Sequence, residues 1–190
     1  MKRTFEELQI KITGGQIINR VLSSGNDTVE SRGTIVAKTI SSGYIKDEDI
    51  VINSYKTKCD QKRITKLNDI VIKITPPFAA ALVDKEHEGL LVSSFCMILN
   101  NLPEKLLPEY LTAYLNSEEG VKQVTSSMSG STIATINVTS LKNISIPVPS
   151  IDKQKQIGDA FVKYLKNIEL TNKLILFSKE KVETLIAEEQ

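Results

Sequence analysis

The spacing of apolar residues along this chain changes once, near residue 150, and the change divides it in two. Ahead of that point the apolar positions fall in short runs, broken by Gly, Ser, Asn, Asp and Pro. Such runs read as strands separated by turns. Residues 8–12 alternate as a first short strand, and 13–16 follow as a turn. Residues 34–37, 49–52, 69–74, 89–92 and 95–99 read as further strands. Residues 103–122 read as a helix pair or as one helix with a turn. Pro108 suits a first helical turn, and Leu107, Leu111, Tyr114, Leu115, Val121 and Val124 make the apolar side. Residues 144–149 are extended, stiffened by Pro147 and Pro149, and belong at a sheet edge.

Behind Pro149 the period becomes helical. Ile157, Phe161, Tyr164, Ile168, Ile175, Val182 and Leu185 follow one another in steps of four and three or in whole heptads, which is a helix-packing seam. Asp152 sits just inside the start, where a carboxylate complements the helix dipole. No Pro or Gly interrupts the run after Gly158. A helix of roughly 35 residues is roughly 50 Å long. That is more than a small domain covers, so the helix is expected to project and to pack against a partner. Thr171 and Ser178 occupy core-like positions of the seam, which weakens the pairing or fixes its register. The expected fold is α+β: a mixed, β-rich domain over 1–150 with a few helices, then one long projecting C-terminal helix over 151–190.

Bulk composition narrows the function classes. At 190 residues the chain supports one globular domain plus an appendage. Its 41% hydrophobic and 25% charged residues exclude wholesale disorder. The net charge is +1, so any nucleic-acid surface has to come from uneven charge placement. Cys59 and Cys96 stand far apart with no His nearby, which fits a reduced cytosolic setting and not a disulfide framework. No apolar run reaches membrane-spanning length, and the amino terminus lacks a signal-peptide layout. A soluble cytoplasmic protein is expected.

Candidate chemistry is sparse. Lys56, Lys58, Lys62, Arg63 and Lys66 form the densest basic cluster, interrupted only by the acidic Asp60. Cations at a loop tip neutralise phosphates and release counterions, although a charge cluster is as readily a solvated face. Thr125, Ser126, Ser127, Ser129, Gly130, Ser131 and Thr132 make a hydroxyl-rich stretch. Small hydroxyls of this kind position phosphates or touch base edges, or belong to a plain flexible loop. Tyr44 follows a glycine turn and is either a half-buried strand aromatic or a residue near a DNA surface. Gly14-Gly15 lacks the further glycine, lysine and downstream helix of a phosphate loop. Thr75-Pro76-Pro77-Phe78 is similar to the Pro-Pro-aromatic motif of adenine methyltransferases, but Thr75 stands where an Asn or Asp is needed, so a proline-terminated strand is the simpler reading. His87, between Glu86 and Glu88, has no candidate nucleophile or metal-ligand spacing and reads as a solvated turn histidine. No catalytic group, metal site or cofactor is expected.

One resemblance joins these pieces. Gly130-Ser131-Thr132-Ile133, Ile136, Leu141, Ile144-Ser145-Ile146-Pro147-Val148-Pro149 and Gln154-Lys155-Gln156-Ile157 precede a long helix. Upstream stand Ser42-Gly43-Tyr44-Ile45, Leu67-Asn68-Asp69-Ile70-Val71-Ile72, Ser93-Ser94-Phe95 and Pro108-Glu109-Tyr110-Leu111 with Tyr114-Leu115-Asn116-Ser117 and Gly120. In this order, from about Phe5 to the end, the chain resembles the specificity subunit of type I restriction–modification enzymes. The resemblance implies a DNA target-recognition domain with a spacer helix that docks other subunits. A modification subunit would transfer methyl groups to adenine, and a restriction subunit, where present, would cleave DNA using ATP. A usual member has two recognition domains and two long helices, so this chain corresponds to about half of one. Candidate contacts to double-stranded DNA are Arg32, Lys38, Ser42, Tyr44, Lys56, Lys58, Lys62, Arg63, Ser129, Ser131 and Thr132. The seam residues Ile157, Phe161, Tyr164, Ile168, Ile175, Val182 and Leu185 are the candidate interface of a homodimer with antiparallel helices. Two-fold symmetry would then demand a gapped, inverted-repeat target. Competing readings are a helical interaction module that reads no DNA, a methyltransferase, and a half-subunit that pairs with a different specificity subunit.

Overall fold

Two uninterrupted apolar runs, around residues 70–72 and 96–99, lie at the centre of the molecule because their sheet is covered on both faces. The computed structural model describes residues 2–127 and 135–188. Its elements are β1 (Lys2–Thr4), β2 (Lys11–Gly14), β3 (Glu30–Ile35), β4 (Val51–Tyr55), β5 (Ile70–Lys73), β6 (Ala80–Leu82), β7 (Leu91–Val92), β8 (Cys96–Asn100), α1 (Pro108–Leu115), α2 (Glu118–Ser126), α3 (Val138–Lys142), β9 (Ser145–Pro147) and α4 (Ile151–Ala187). Strands β2, β8, β5 and β6 form an antiparallel sheet in that spatial order. Alternate residues of its central strands face opposite cores. Ile70, Ile72, Met97 and Leu99 join Tyr110, Leu111, Leu115 and Val124 of α1 and α2. Val71, Cys96 and Ile98 face the other way, toward Ile35, Ile40, Ile45 and Val92. Burying each such side chain contributes about 1.5–3 kcal/mol, so the double cover is the main source of stability.

A second sheet, β4-β3-β7, pairs β3 with β4 antiparallel and with β7 parallel. These outer strands run later and earlier than the apolar runs suggest. The run at 34–37 gives a strand over Glu30–Ile35, and the run at 49–52 gives one over Val51–Tyr55. The pairing includes Ser31 opposite Ser54 and Arg32 opposite Asn53. A solvated strand pair tolerates polar side chains, so apolar spacing does not mark its bounds. Likewise the first strand forms only from Lys11 onward, after a turn in which Leu8 N–H donates to Thr4 O at 3.0 Å. Leu8 and Ile10 still reach the core. The expected proline-stiffened edge is β9, paired antiparallel with β1.

His87 departs from the expected solvated turn. It is buried, with Nδ1 2.7 Å from Asp84 Oδ1 and Nε2 2.9 Å from Asp47 Oδ1. The ring points inward while its charged neighbours Glu86 and Glu88 point out, and it ties two turns together.

The long helix is as expected, 37 residues from Ile151 to Ala187. Ser150 caps it, its Oγ accepting from Lys153 N–H at 3.4 Å. Gln154 is buried with its amide fully used: Oε1 accepts from Leu107 N–H at 2.9 Å, and Nε2 donates to Lys105 O at 2.8 Å and Pro149 O at 3.0 Å. One turn on, Gly158 meets α1 so closely that a Cβ there would lie 3.0 Å from the Glu109 Cβ. Ile157 packs against the helical core. Phe161 and Leu165 cover Gly43, whose φ is +109° and whose missing Cβ would lie 2.6 Å from the Phe161 ring. Beyond Ile168 no residue of the helix is buried among the described residues. The helix therefore has a root on the domain and a free arm.

Candidate nucleic-acid interface

The basic loop is presented by β4 and β5. Tyr55, wholly buried, closes β4, its hydroxyl bonded to that of Thr34. The chain then leaves the sheet through Lys56 and Lys58. Lys56, Lys58 and Lys62 are exposed and, among the described residues, have no carboxylate within salt-bridge distance. Asp60 Oδ1 accepts from Lys62 N–H at 3.0 Å and so shapes the turn. Its other oxygen lies 3.5 Å from Arg63 Nε. Arg63 also donates from Nη1 to Gln16 Oε1 at 2.6 Å, which pins the loop to the segment after β2.

Arg32 stands beneath this loop and holds its base. Its guanidinium binds Glu30 Oε1 through Nε and Nη2, and Nη1 donates to Gly89 O. The second Glu30 oxygen accepts from Cys59 N–H at 2.8 Å. That backbone bond, then the Arg32 guanidinium, holds the Glu30 carboxyl below its ordinary value. With donors committed to two partners, Arg32 organises the site more than it faces solvent.

Lys38, Ser42 and Tyr44 lie elsewhere. Lys38 pairs with Asp49 at 2.9 Å across the surface, a bond of about 0–1 kcal/mol that exchanges readily. Ser42 is exposed and Tyr44 half-buried. Gly43 between them pairs with Ala81 of β6 and lies under α4. β6 and β2 are opposite edges of the four-stranded sheet, so these residues do not join the basic loop. Ser129, Ser131 and Thr132 lie outside the described residues. The start of that hydroxyl stretch belongs to α2 and its cap: Thr125, Ser126 and Ser127 donate to the carbonyls of Val121, Gln123 and Val124 at 2.8, 3.0 and 2.7 Å.

One end of the four-stranded sheet gathers what the spacing of residues alone does not. Gln16 N–H donates to Val92 O and Ser94 N–H to Gln16 O, both at 2.7 Å. Gly15 makes this approach feasible, since a Cβ there would lie 2.0 Å from Ser93 O. Ile74 N–H donates to Phe95 O at 3.1 Å, and Ile136 N–H to Ile74 O at 2.9 Å. Gln16, the Ser94-Phe95 turn and the chain re-entering at Ile136 thus share one rim, joined to the basic loop through Arg63. Gln16 was legible only as a turn residue. Its signal was the adjacent glycine pair, which here allows two backbones to meet and holds no phosphate.

The seam residues divide between root and arm. Ile157 and Phe161 are occupied by their own domain, and Ile168 is half-buried. Tyr164, Ile175, Val182 and Leu185 are each more than half exposed. Thr171 and Ser178 turn their hydroxyls onto their own helix, donating to Asn167 O and Leu174 O, both at 2.8 Å. Among the described residues no cluster of His, Cys, Asp and Glu could hold a metal ion, and no helix is long and apolar enough to cross a membrane. Burial pushes the Cys96 thiol up to about 12, which leaves it unreactive.

Comparison with known proteins places this architecture. No curated protein matches the chain. Among solved structures, a chain of a type I R-M system described for its complex assembly and conformational transition superposes with a TM-score of 0.65 at 17% identity, over 97% of this chain and 47% of that one. The HsdS subunit from Thermoanaerobacter tengcongensis gives 0.64 at 17% identity over the same shares. The type I restriction-modification S subunit from M. genitalium gives 0.62 at 17% identity, over 95% and 42%. The chain thus spans about half the length of the structures it matches, and at this identity they establish the shared fold. The sequence profile described as Type I restriction modification DNA specificity domain matches residues 10–176, from β2 well into the arm of α4. The chain belongs to that family.

Proposed function

We propose that this protein is the DNA sequence-recognition component of a type I restriction–modification complex, reading one half of a bipartite duplex target. The family match over residues 10–176 carries the reading. The exposed lysines of the β4–β5 loop supply phosphate contacts, and the rim joined to them through Arg63 supplies base contacts. The protein does no chemistry itself. It directs a separate methyltransferase subunit, and a restriction subunit where one exists, in the cytoplasm.

The free arm of α4 supports the second half of the proposal. Tyr164, Ile175 and Val182 lie exposed on one helical stripe, and a second copy lying antiparallel covers it. Such a pair rebuilds a two-reader subunit from one half-length chain, and its symmetry demands an inverted-repeat target with a gap. Pairing with a different specificity subunit uses the same stripe and yields an asymmetric target instead. Selection from a randomised duplex pool by the purified full chain tests the whole reading. A gapped inverted repeat supports it, and no enriched motif sinks the DNA-reading role.

A further inference from the structure

Phe95 serves no core, yet a fixed turn presents it in the open. The residue is 60% exposed at the turn between β7 and β8. The turn is fixed on several sides: Ser94 N–H donates to Gln16 O at 2.7 Å, Cys96 N–H to Ser93 O at 2.9 Å, and Ile74 N–H to Phe95 O at 3.1 Å. These bonds fix the main chain that presents the ring. The neighbours are polar. Gln16, one hydrogen bond away, is held by Arg63 of the basic loop, and Ile136 is bonded to the same Ile74. An aromatic ring thus stands on the rim that Arg63 joins to the cationic loop.

That setting suits one chemistry. Phosphates and most base edges offer only hydrogen-bonding groups, which a phenyl ring cannot answer. The exception in the major groove is the 5-methyl of thymine. Resting on the proposed reading of the domain as a DNA reader, we propose that Phe95 is the apolar base contact of the interface and reads a thymine through that methyl. The cations of the neighbouring loop set the register on the backbone, while the ring discriminates at one position.

The test uses the full chain and the motif it selects from a randomised duplex pool. Replacing each thymine of that motif in turn by uracil removes one methyl and nothing else. At one position wild-type binding should weaken about three- to five-fold, the worth of one buried methyl. Phe95→Ala should lose a similar factor on the thymine duplex and nothing more on the uracil duplex. Its thermal midpoint and salt dependence should match wild type, because neither core nor phosphate contact has changed. Phe95→Leu should keep most of the uracil sensitivity. The proposal is overturned if no uracil substitution weakens wild type, or if Phe95→Ala binds as tightly as wild type. It is equally overturned if 2-aminopurine in the motif brightens on binding to wild type and not to Phe95→Ala, which would make the ring a wedge between bases. Failure to select any motif is a separate outcome and strikes the DNA-reading role itself.

Discussion

Gln154 shows how one polar side chain fixes the direction of an entire helix. Its buried amide satisfies Leu107 N–H and the carbonyls of Lys105 and Pro149 at the root of α4. Gln154→Leu leaves those partly buried groups without their partner, at about 1–3 kcal/mol for each one that water does not reach. We expect a loss of about 3 kcal/mol in urea unfolding, larger than for any exposed residue of α4. The Gln-Lys-Gln-Ile string is visible in the sequence, but nothing in its spacing says that the first glutamine is buried and the second exposed. Glu30 carries a pH signature. Its carboxyl is held below its ordinary value of 4.5 by Cys59 N–H and by Arg32. A lowered native value means stabilisation present at neutral pH and lost as pH falls through that value. Glu30→Gln should therefore be less stable than wild type at neutral pH and converge on it in acid, in denaturant titrations from neutral to about pH 3.

At the scale of elements, the strands buried on both faces were legible and the solvated ones were not. The runs at β5 and β8 announce themselves because both faces are apolar. β3 and β4 carry Arg32, Asn53, Ser31 and Ser54, and their pairing follows from the tertiary arrangement. The helical period behind Pro149 matches α4 in kind and length. What it could not tell was where the seam stops serving the domain, because Ile157 and Tyr164 look alike in a heptad but differ in what lies opposite. The division predicts different outcomes for like substitutions. If α4 pairs as proposed, Ile175→Lys with Val182→Lys should convert that dimer to a monomer in light scattering and leave the thermal midpoint of the domain within about 1 °C, since both residues are exposed. Phe161→Lys should lower that midpoint, because Phe161 covers Gly43.

For the molecule as a whole, a net charge of +1 hides a local concentration of cations on the loop after β4. Lys56, Lys58 and Lys62 changed together to Gln should reduce the slope of log affinity against log salt by about 2.7, at about 0.9 per phosphate contact. Fluorescence anisotropy on a mixed-sequence duplex measures it. Lys38→Gln, far from that loop and paired with Asp49, should leave the slope unaltered. Gly158 has an effect on the same large scale. The root of α4 on the domain and the arm beyond it are comparable in length, roughly 25 Å and 28 Å at about 1.5 Å per residue. Any side chain at Gly158 that wedges α1 away tilts the rod about its seat. The tip lies roughly 44 Å beyond Gly158 at about 1.5 Å per residue, so a tilt of about 5° there carries it about 4 Å, close to the roughly 3.4 Å rise of one base pair. In the proposed antiparallel pair, the notch left by a missing methyl would act as a vernier, setting to about a base step where the second reader comes to rest along the duplex.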